Sequence, residues 1–142
     1  MDRKPNKENG ERNDIEKMPL AIQTQIYTIQ DFKNCLLNNP GVFIMKLGAD
    51  WCGPCRQIES IVMNCMVQAP DNVQCAIINV DEAVELYSFL KNKRMVNGIP
   101  AILAYYKGNL NYIPDANVIG SDPQQILNLF QMCYNGASKL SA

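Results

Sequence analysis

Histidine is absent from the 142 residues of the chain. Without it, imidazole catalysis, histidine metal ligands and a histidine pH switch are all excluded. An excess of one charge is also lacking, because 13 Lys+Arg offset 14 Asp+Glu, so neither a nucleic-acid partner nor an acidic interaction tail is expected. No apolar run approaches the roughly 20 residues that span a bilayer, so we expect no membrane association. Six cysteines are too few for a disulfide-dense secreted scaffold.

The first 17 residues carry ten charges, five of each sign. No apolar stretch follows them, which argues against a secretory signal, and their acidic residues argue against a transit peptide. We therefore predict a disordered charged tail over residues 1–19, followed by one domain over residues 20–142. The tail is either a solvated arm without function or a docking segment. A cytoplasmic monomer with thiols reduced at rest is expected.

Hydrophobic periodicity predicts alternating strands and helices. The nearly continuous apolar run 42–48 is typical of a central strand that is buried on both faces. Thr28 and Asp31 have the spacing of a capping box for a helix that runs to about Leu37. One helix is predicted from about Pro54, with an apolar stripe that continues through Met66. The other predicted elements are strands at 26–29, 73–80, 101–106 and 117–120 and helices at about 84–90 and 123–133. This order predicts an α/β fold whose sheet is parallel at first and ends in an antiparallel hairpin.

The segment Trp51-Cys52-Gly53-Pro54-Cys55 lies where the predicted central strand turns into a helix. Thiols at positions i and i+3 can close a small disulfide ring with little backbone movement. Cys52 would lie at the helix N-terminus, where free N–H groups favour a thiolate, and Cys55 would be less exposed one turn inside. This asymmetry suits a nucleophile, Cys52, and a resolving thiol, Cys55.

Two other interpretations of the pair are less favoured. Half of a zinc site is disfavoured because zinc needs four ligands, no second C-x-x-C exists, and Cys65 and Cys75 have odd spacing. No metal is therefore expected. An inert pair of core cysteines is disfavoured because Gly-Pro is typical of a turn and a helix start. The four remaining cysteines, Cys35, Cys65, Cys75 and Cys133, are predicted to behave as small hydrophobes. Cys35 and Cys133 lie on outer helices and are expected to be more prone to oxidation.

These residues resemble the thioredoxin family, and the resemblance covers about residues 22–133. The Trp51–Cys55 motif is the family signature, Asn97-Gly98-Ile99-Pro100 matches a downstream loop, and Lys107-Gly108 matches a hairpin turn. The resemblance implies a thioredoxin-like three-layer α/β/α sandwich with a central mixed sheet. It also implies a redox-active Cys52–Cys55 disulfide, no bound cofactor, disulfide-containing protein substrates, and an upstream electron donor similar to thioredoxin reductase.

The resemblance further implies a substrate groove beside the cysteine pair. Pro100 would be cis and would face the pair, and Ile99 would offer backbone hydrogen bonds to an extended peptide. The same surface would be lined by Trp51, Ile119 and Gly120, and Gly53 and Pro54 would shape the motif.

The sequence departs from the family at the predicted central strand. Lys46 stands where the family usually has a buried aspartate, and Ile77 stands where the family has a partner lysine. A lysine in such a strand must reach an edge, be paired or lose its proton. Two smaller departures are Ser60 in place of a helix-kinking proline, and Gly48 in place of an aromatic, which is expected to open space beside Trp51.

The leading interpretation is a protein-disulfide reductase in electron transport and cell redox homeostasis. Two alternatives stay open. In the first, Lys46 makes the protein a thioredoxin-fold oxidant or an isomerase-like protein. In the second, the protein is a non-catalytic thioredoxin-fold binding module with the tail as its arm.

Overall fold

The computed structural model of the chain describes residues 19–141, so the predicted tail lies outside the described residues except at its last position. The elements in chain order are α1 (Ile29–Leu37), β1 (Val42–Gly48), α2 (Gly53–Gln57), α3 (Glu59–Val67), β2 (Val73–Asn79), α4 (Val84–Asn92), β3 (Ala101–Tyr106), β4 (Ala116–Ile119) and α5 (Pro123–Ser141). Within this part of the chain, no helix combines the length and the apolar character needed to cross a membrane.

The four strands form one mixed sheet in the order β2-β1-β3-β4. β1 pairs in parallel with β2 and antiparallel with β3, and β3 pairs antiparallel with β4. Every residue of β1 is buried, which follows from its central place and explains its unbroken apolar run. The predicted three-layer α/β/α sandwich is therefore confirmed.

Alternate side chains of β1 feed two separate cores. Phe43, Met45 and Leu47 pack with residues of α1 and α4 on one face of the sheet. Val42 and Ile44 pack with residues of α3 and α5 on the other face. Because side chains alternate along a strand, Lys46 shares the second face, at the end of β1 that leads into the cysteine motif.

The predicted strand at 26–29 is wrong. Thr28 Oγ1 accepts a hydrogen bond from the backbone N–H of Asp31 at 3.0 Å, and Asp31 Oδ2 accepts one from the N–H of Thr28 at 3.1 Å. This capping box takes Thr28 and Ile29 into the start of α1, and it prevails over their β propensity. Among residues 19–141, the sheet is extended beside β2 only by an isolated parallel bridge between Gln23 and Ala76.

The capping box makes part of the stability depend on pH. Hydrogen bonds from the N–H groups of Tyr27 and Thr28 hold the pKa of Asp31 below its usual 3.8. A carboxyl with a lowered native pKa contributes stability above its unfolded pKa and loses it as the pH falls. Urea unfolding is therefore expected to show a larger loss of stability between about pH 5 and about pH 3 in the wild type than in Asp31→Asn. Equal losses would contradict this.

The helix predicted from Pro54 is two helices. Ile58 separates α2 from α3, with φ −105° and ψ 3°, and its side chain is buried. The break occurs although Ser60 stands where the family has its proline. The last helix begins as expected, because Asp122 Oδ1 accepts the N–H of Gln124 at 2.9 Å.

Candidate active site

The cysteine motif follows the carboxyl end of β1. Cys52 and Cys55 form a disulfide with their Cα atoms 5.2 Å apart. Cys52 is the N-cap of α2, and its Sγ accepts the backbone N–H of Cys55 at 3.2 Å. A hydrogen bond donated to sulfur favours a thiolate over a thiol when the disulfide opens. The geometry therefore provides the local N–H donor that a nucleophilic Cys52 needs.

Cys52 was expected to be clearly more exposed than Cys55, but in the disulfide form the two cysteines are almost equally buried. Cys52 is 4% exposed and Cys55 is 3% exposed. The loop before β3 covers Cys52, whose Sγ lies 3.9 Å from the carbonyl oxygen of Ile99. The two sulfurs instead differ in their neighbours, since Cys52 lies against this loop and Cys55 lines a cavity on β1.

Loop residues 97–100 and the end of β4 lie together beside Cys52. The Ile99–Pro100 peptide bond is cis, as the resemblance implied. The backbone N–H of Gly120 donates to the carbonyl of Pro100 at 2.9 Å, and Gly120 has φ +116°, which favours glycine. Ile119 is opposite Ala101 in the sheet and is 38% exposed. Ile99, Pro100, Ile119 and Gly120 are thus neighbours at one end of the sheet.

Trp51 is 67% exposed, and its indole Nε1 donates to Asp81 Oδ2 at 2.8 Å. Asp81 follows β2, so this bond fixes the indole toward the β2 side of the motif. Gly53 and Pro54 begin α2, with Pro54 exposed in the first turn where no N–H is needed. Sequence reasoning missed Asp81, because nothing in the residues around it indicates a partner for an indole.

Lys46 lies behind the cysteine pair. Lys46 is 8% exposed, and it lies opposite Ile77 in the β1–β2 register. A Cβ placed on Gly48 would lie 3.3 Å from Cys55 Sγ and 3.6 Å from Lys46 Nζ, so both atoms border the same small space. Burial lowers the pKa of the Lys46 amine, and the Glu59 carboxylate acts in the opposite direction.

A cavity of about 310 Å³ opens in this region. It is lined by Lys46, Gly48 and Cys55 among others, but Trp51 is not one of its lining residues. The space that Gly48 was expected to open beside Trp51 therefore lies beside Cys55 instead. The reason is the alternation along β1, which puts position 48 on the same face as Lys46.

The four other cysteines are free thiols. Burial raises the pKa of Cys35 and Cys133 to about 11 and that of Cys75 to about 12, and it also raises the pKa of Cys65. They are therefore poor nucleophiles at neutral pH. The expectation that Cys133 is open to oxidation is wrong, because Cys133 lies on the apolar face of α5 and is completely buried in the core on the second face of the sheet. Within residues 19–141, no three Cys, Asp or Glu side chains are grouped so that they could hold a metal ion.

The buried amine makes the Lys46→Met variant informative about stability. A native pKa lowered by burial means that the folded state binds the proton less tightly than the unfolded state, which lowers the free energy of unfolding at neutral pH. This loss of stability becomes smaller as the pH rises toward 10.5. Lys46→Met is expected to raise the free energy of unfolding near neutral pH by on the order of 1 kcal/mol. Urea unfolding should show that this advantage narrows at about pH 9.5. An advantage that grows with pH would contradict the prediction.

Comparison with known proteins agrees with this geometry. A family model described as Thioredoxin matches residues 23–131. The chain belongs to the thioredoxin family. It is 27% identical over 107 residues to the M-type chloroplastic thioredoxin of Chlamydomonas reinhardtii, a match that covers 70% of this chain and 74% of that protein. It is 32% identical over 79 residues to thioredoxin of Rhodospirillum rubrum, which covers 56% of this chain and 72% of that protein.

Solved structures support the same fold. Fasciola hepatica thioredoxin superimposes with a TM-score of 0.64 at 21% identity, over 78% of this chain and 98% of that one. Membership of the thioredoxin family, together with the bonded Cys52–Cys55 pair, supports thiol–disulfide oxidoreductase chemistry in general. The relatives include chloroplastic and mitochondrial thioredoxins as well as bacterial ones, so they do not confirm the predicted cytoplasmic location.

Proposed function

We propose that this chain reduces disulfides of other proteins through Cys52 and Cys55. The observation that carries the proposal is the Cys52–Cys55 disulfide, with the N–H of Cys55 directed at Cys52 Sγ. In the reduced protein, the Cys52 thiolate attacks one sulfur of the target disulfide and releases the other as a thiolate. Cys55 then attacks Cys52 in the mixed disulfide. The target leaves with both of its sulfurs reduced, and the Cys52–Cys55 disulfide forms again.

The loop beside Cys52 is proposed to hold the target. Ile99 lies before the first β1–β3 pair, which is Leu47 with Ala101, so its backbone is outside that ladder. An extended peptide could hydrogen-bond to Ile99, as in β-strand addition. Pro100, Ile119, Gly120 and Trp51 would form the rest of the surface. This arrangement supports protein disulfides as the substrate class.

The proposed reaction consumes one pair of electrons for each target disulfide. A thioredoxin-reductase-like donor in the cytoplasm would restore the reduced pair, and the protein would act as a monomer in redox homeostasis. No bound cofactor is needed, because the two cysteines carry the electrons.

Lys46 favours a second candidate, a less reducing or oxidant-like member of the family. An ammonium beside Cys55 would stabilise a thiolate in the reduced protein, and a stabilised reduced form makes a dithiol more oxidising. A neutral amine at the same place would instead accept the proton of Cys55. In both roles, Lys46 Nζ acts on Cys55 Sγ across the space that Gly48 leaves open between them.

Reduction of insulin disulfides with dithiothreitol as the electron source tests the proposal. The wild type is expected to accelerate the reaction, and Cys52→Ser is expected to give only the rate of dithiothreitol alone. Cys35→Ser is the matched control, because it removes a thiol whose pKa is about 11 and should leave the rate unchanged. A wild type that gives no acceleration would support the binding module instead.

A further inference from the structure

A groove of about 590 Å³ lies beside the proposed target-binding loop, between the end of α4 and the edge strand β4. The segment that follows α4 forms one wall, and Asn117 and Ile119 of β4 form the other. These two residues alternate with Val118, which belongs to the core on the opposite face of the sheet. Asn117 and Ile119 therefore lie on the face that α4 packs against, at an edge that α4 leaves exposed.

The groove is positively charged. Lys91 in the last turn of α4 and Arg94 just beyond it line the groove, and both are exposed. Lys91 Nζ lies 5.1 Å from the centre of the Tyr87 ring, a contact that does not neutralise its charge. Among residues 19–141, no lining residue is acidic, and neither cation forms an ion pair. Two uncompensated positive charges in one groove attract an anionic partner.

Arg94 occupies a backbone position that favours glycine, since its φ is 62°. The N–H of Met95 donates to the carbonyl oxygen of Leu90 at 2.9 Å. The N–H of Arg94 donates to the carbonyl oxygen of Lys91 at 3.0 Å. These two bonds form the pattern that commonly ends a helix with glycine at the position of Arg94. An arginine there costs stability, and such an outlier points to a use for its side chain.

The groove continues the surface that is proposed to hold the target. Ile119 belongs to both, and Asn97 of the groove comes two residues before Ile99. The carbonyl oxygen of Ile99 lies 3.9 Å from Cys52 Sγ. Two to four residues of an extended peptide span about 7–13 Å. A target residue at that separation from the reacting cysteine can therefore reach the groove.

We propose that this groove selects protein disulfides whose reacting cysteine has an acidic residue two to four positions away on one side. The carboxylate pairs with Arg94 and Lys91 while the peptide backbone lies along Ile99. Contact with Ile119 and with the Ile99 backbone favours a peptide over a small free anion. The proposal rests on the reductase function proposed above and adds the class of target that the protein prefers. Because exposed charge pairs act mainly on association, the preference should appear in the reaction rate at low ionic strength.

Reduction of peptide disulfides tests the proposal. Three peptides each form a disulfide through a central cysteine: one has glutamate three residues before it, one has glutamate three residues after it, and one has glutamine at both places. Each is mixed with the reduced full-length protein, and release of peptide thiol gives the second-order rate constant. One glutamate peptide should react about fivefold faster than the glutamine peptide. This gain should shrink as the ionic strength rises from about 0.01 M to about 0.15 M, because the Debye length falls from about 30 Å to about 8 Å.

Variants locate the interaction. Lys91→Gln combined with Arg94→Gln should lower the gain to about twofold or less and leave the glutamine peptide unaffected. Lys107→Gln removes an exposed lysine beyond the other end of β3 and should keep the full gain. Arg94→Gly should lose part of the gain although it raises the urea midpoint, so loss of stability would not explain the result. No gain with either glutamate peptide, an equal gain with both, or a full gain in the double variant would overturn the proposal.

The peptides also separate failure of this inference from failure of the reductase function. Reduction of all three peptides at one rate would show a reductase without an acidic preference. If none of them is reduced, the oxidised protein is titrated with versions in which serine replaces the cysteine. Amide NMR shifts of Val96, Asn97 and Ile119 should then saturate at a lower concentration of one glutamate version than of the glutamine version. Equal saturation would overturn the proposed role of the groove.

Discussion

A Cys55→Ser variant is expected to hold its protein substrates in a stable covalent complex. Cys52 keeps the N–H donor of residue 55 in this variant, because that hydrogen bond uses the backbone. It therefore still attacks a target disulfide, but no thiol at position 55 remains to release the product. Incubation with insulin, quenching with acid and non-reducing electrophoresis should show an adduct that dithiothreitol removes. Multiple turnover should fall to the rate without protein.

The single-cysteine variants control this experiment for each other. Cys52→Ser retains Cys55, which is 3% exposed, and it should give no adduct. Cys35→Ser should behave like the wild type, with turnover and no accumulated adduct. Adduct formation by Cys52→Ser in place of Cys55→Ser would show that the roles of the two cysteines are reversed.

The second large effect is a shift that Lys46 is expected to cause in the redox potential of the Cys52–Cys55 pair. If the ammonium and a Cys55 thiolate are taken to be about 6 Å apart across the space at Gly48, an effective dielectric constant of about 20 gives an attraction on the order of 3 kcal/mol. Burial reduces this effect, since it lowers the pKa of Lys46 and with it the charged fraction. Because 1.4 kcal/mol corresponds to roughly 30 mV for a two-electron couple, the potential should lie some tens of mV above the roughly −270 mV of thioredoxin.

Reversal of the charge should reverse the direction of the shift. In Lys46→Asp, a carboxylate beside Gly48 would disfavour a Cys55 thiolate, so the potential should fall below that of the wild type by tens of mV. Titration of both proteins in glutathione redox buffers measures this. Lys33→Asp introduces the same charge change on an exposed helix face and should leave the potential unchanged. Equal potentials in the wild type and Lys46→Asp would mean that Lys46 does not act on the pair.

Local patterns in the sequence were sufficient for most of the fold. The apolar run 42–48 is typical of a buried central strand, which the structure has there, and the C-x-x-C pair at its end lies at a helix start as predicted. The error at 26–29 arose where two local signals overlapped. β-branched residues favoured a strand there, but the hydrogen bonds between Thr28 and Asp31 favoured a helix start.

Features that depend on packing between distant segments could not be predicted in detail. Burial of Cys133 depends on how α5 lies on the sheet, which its place on an outer helix does not reveal. The cavity was anticipated only as space at Gly48. Its true position beside Cys55 depends on the direction of Lys46 and on the β1–β2 register. The bond between Trp51 and Asp81 joins residues 30 positions apart and had no signal at all.

Thiol mapping during a single turnover tests the oxidoreductase most directly. The reduced full-length protein is mixed with an excess of insulin, quenched, and alkylated with isotopically different reagents before and after reduction. Peptide mapping should then show that Cys52 and Cys55 alone have lost their thiols, with one insulin disulfide opened per protein and the four other cysteines still reduced. Loss of thiols at Cys35 or Cys65 with Cys52 and Cys55 still reduced would contradict the assignment of the redox pair.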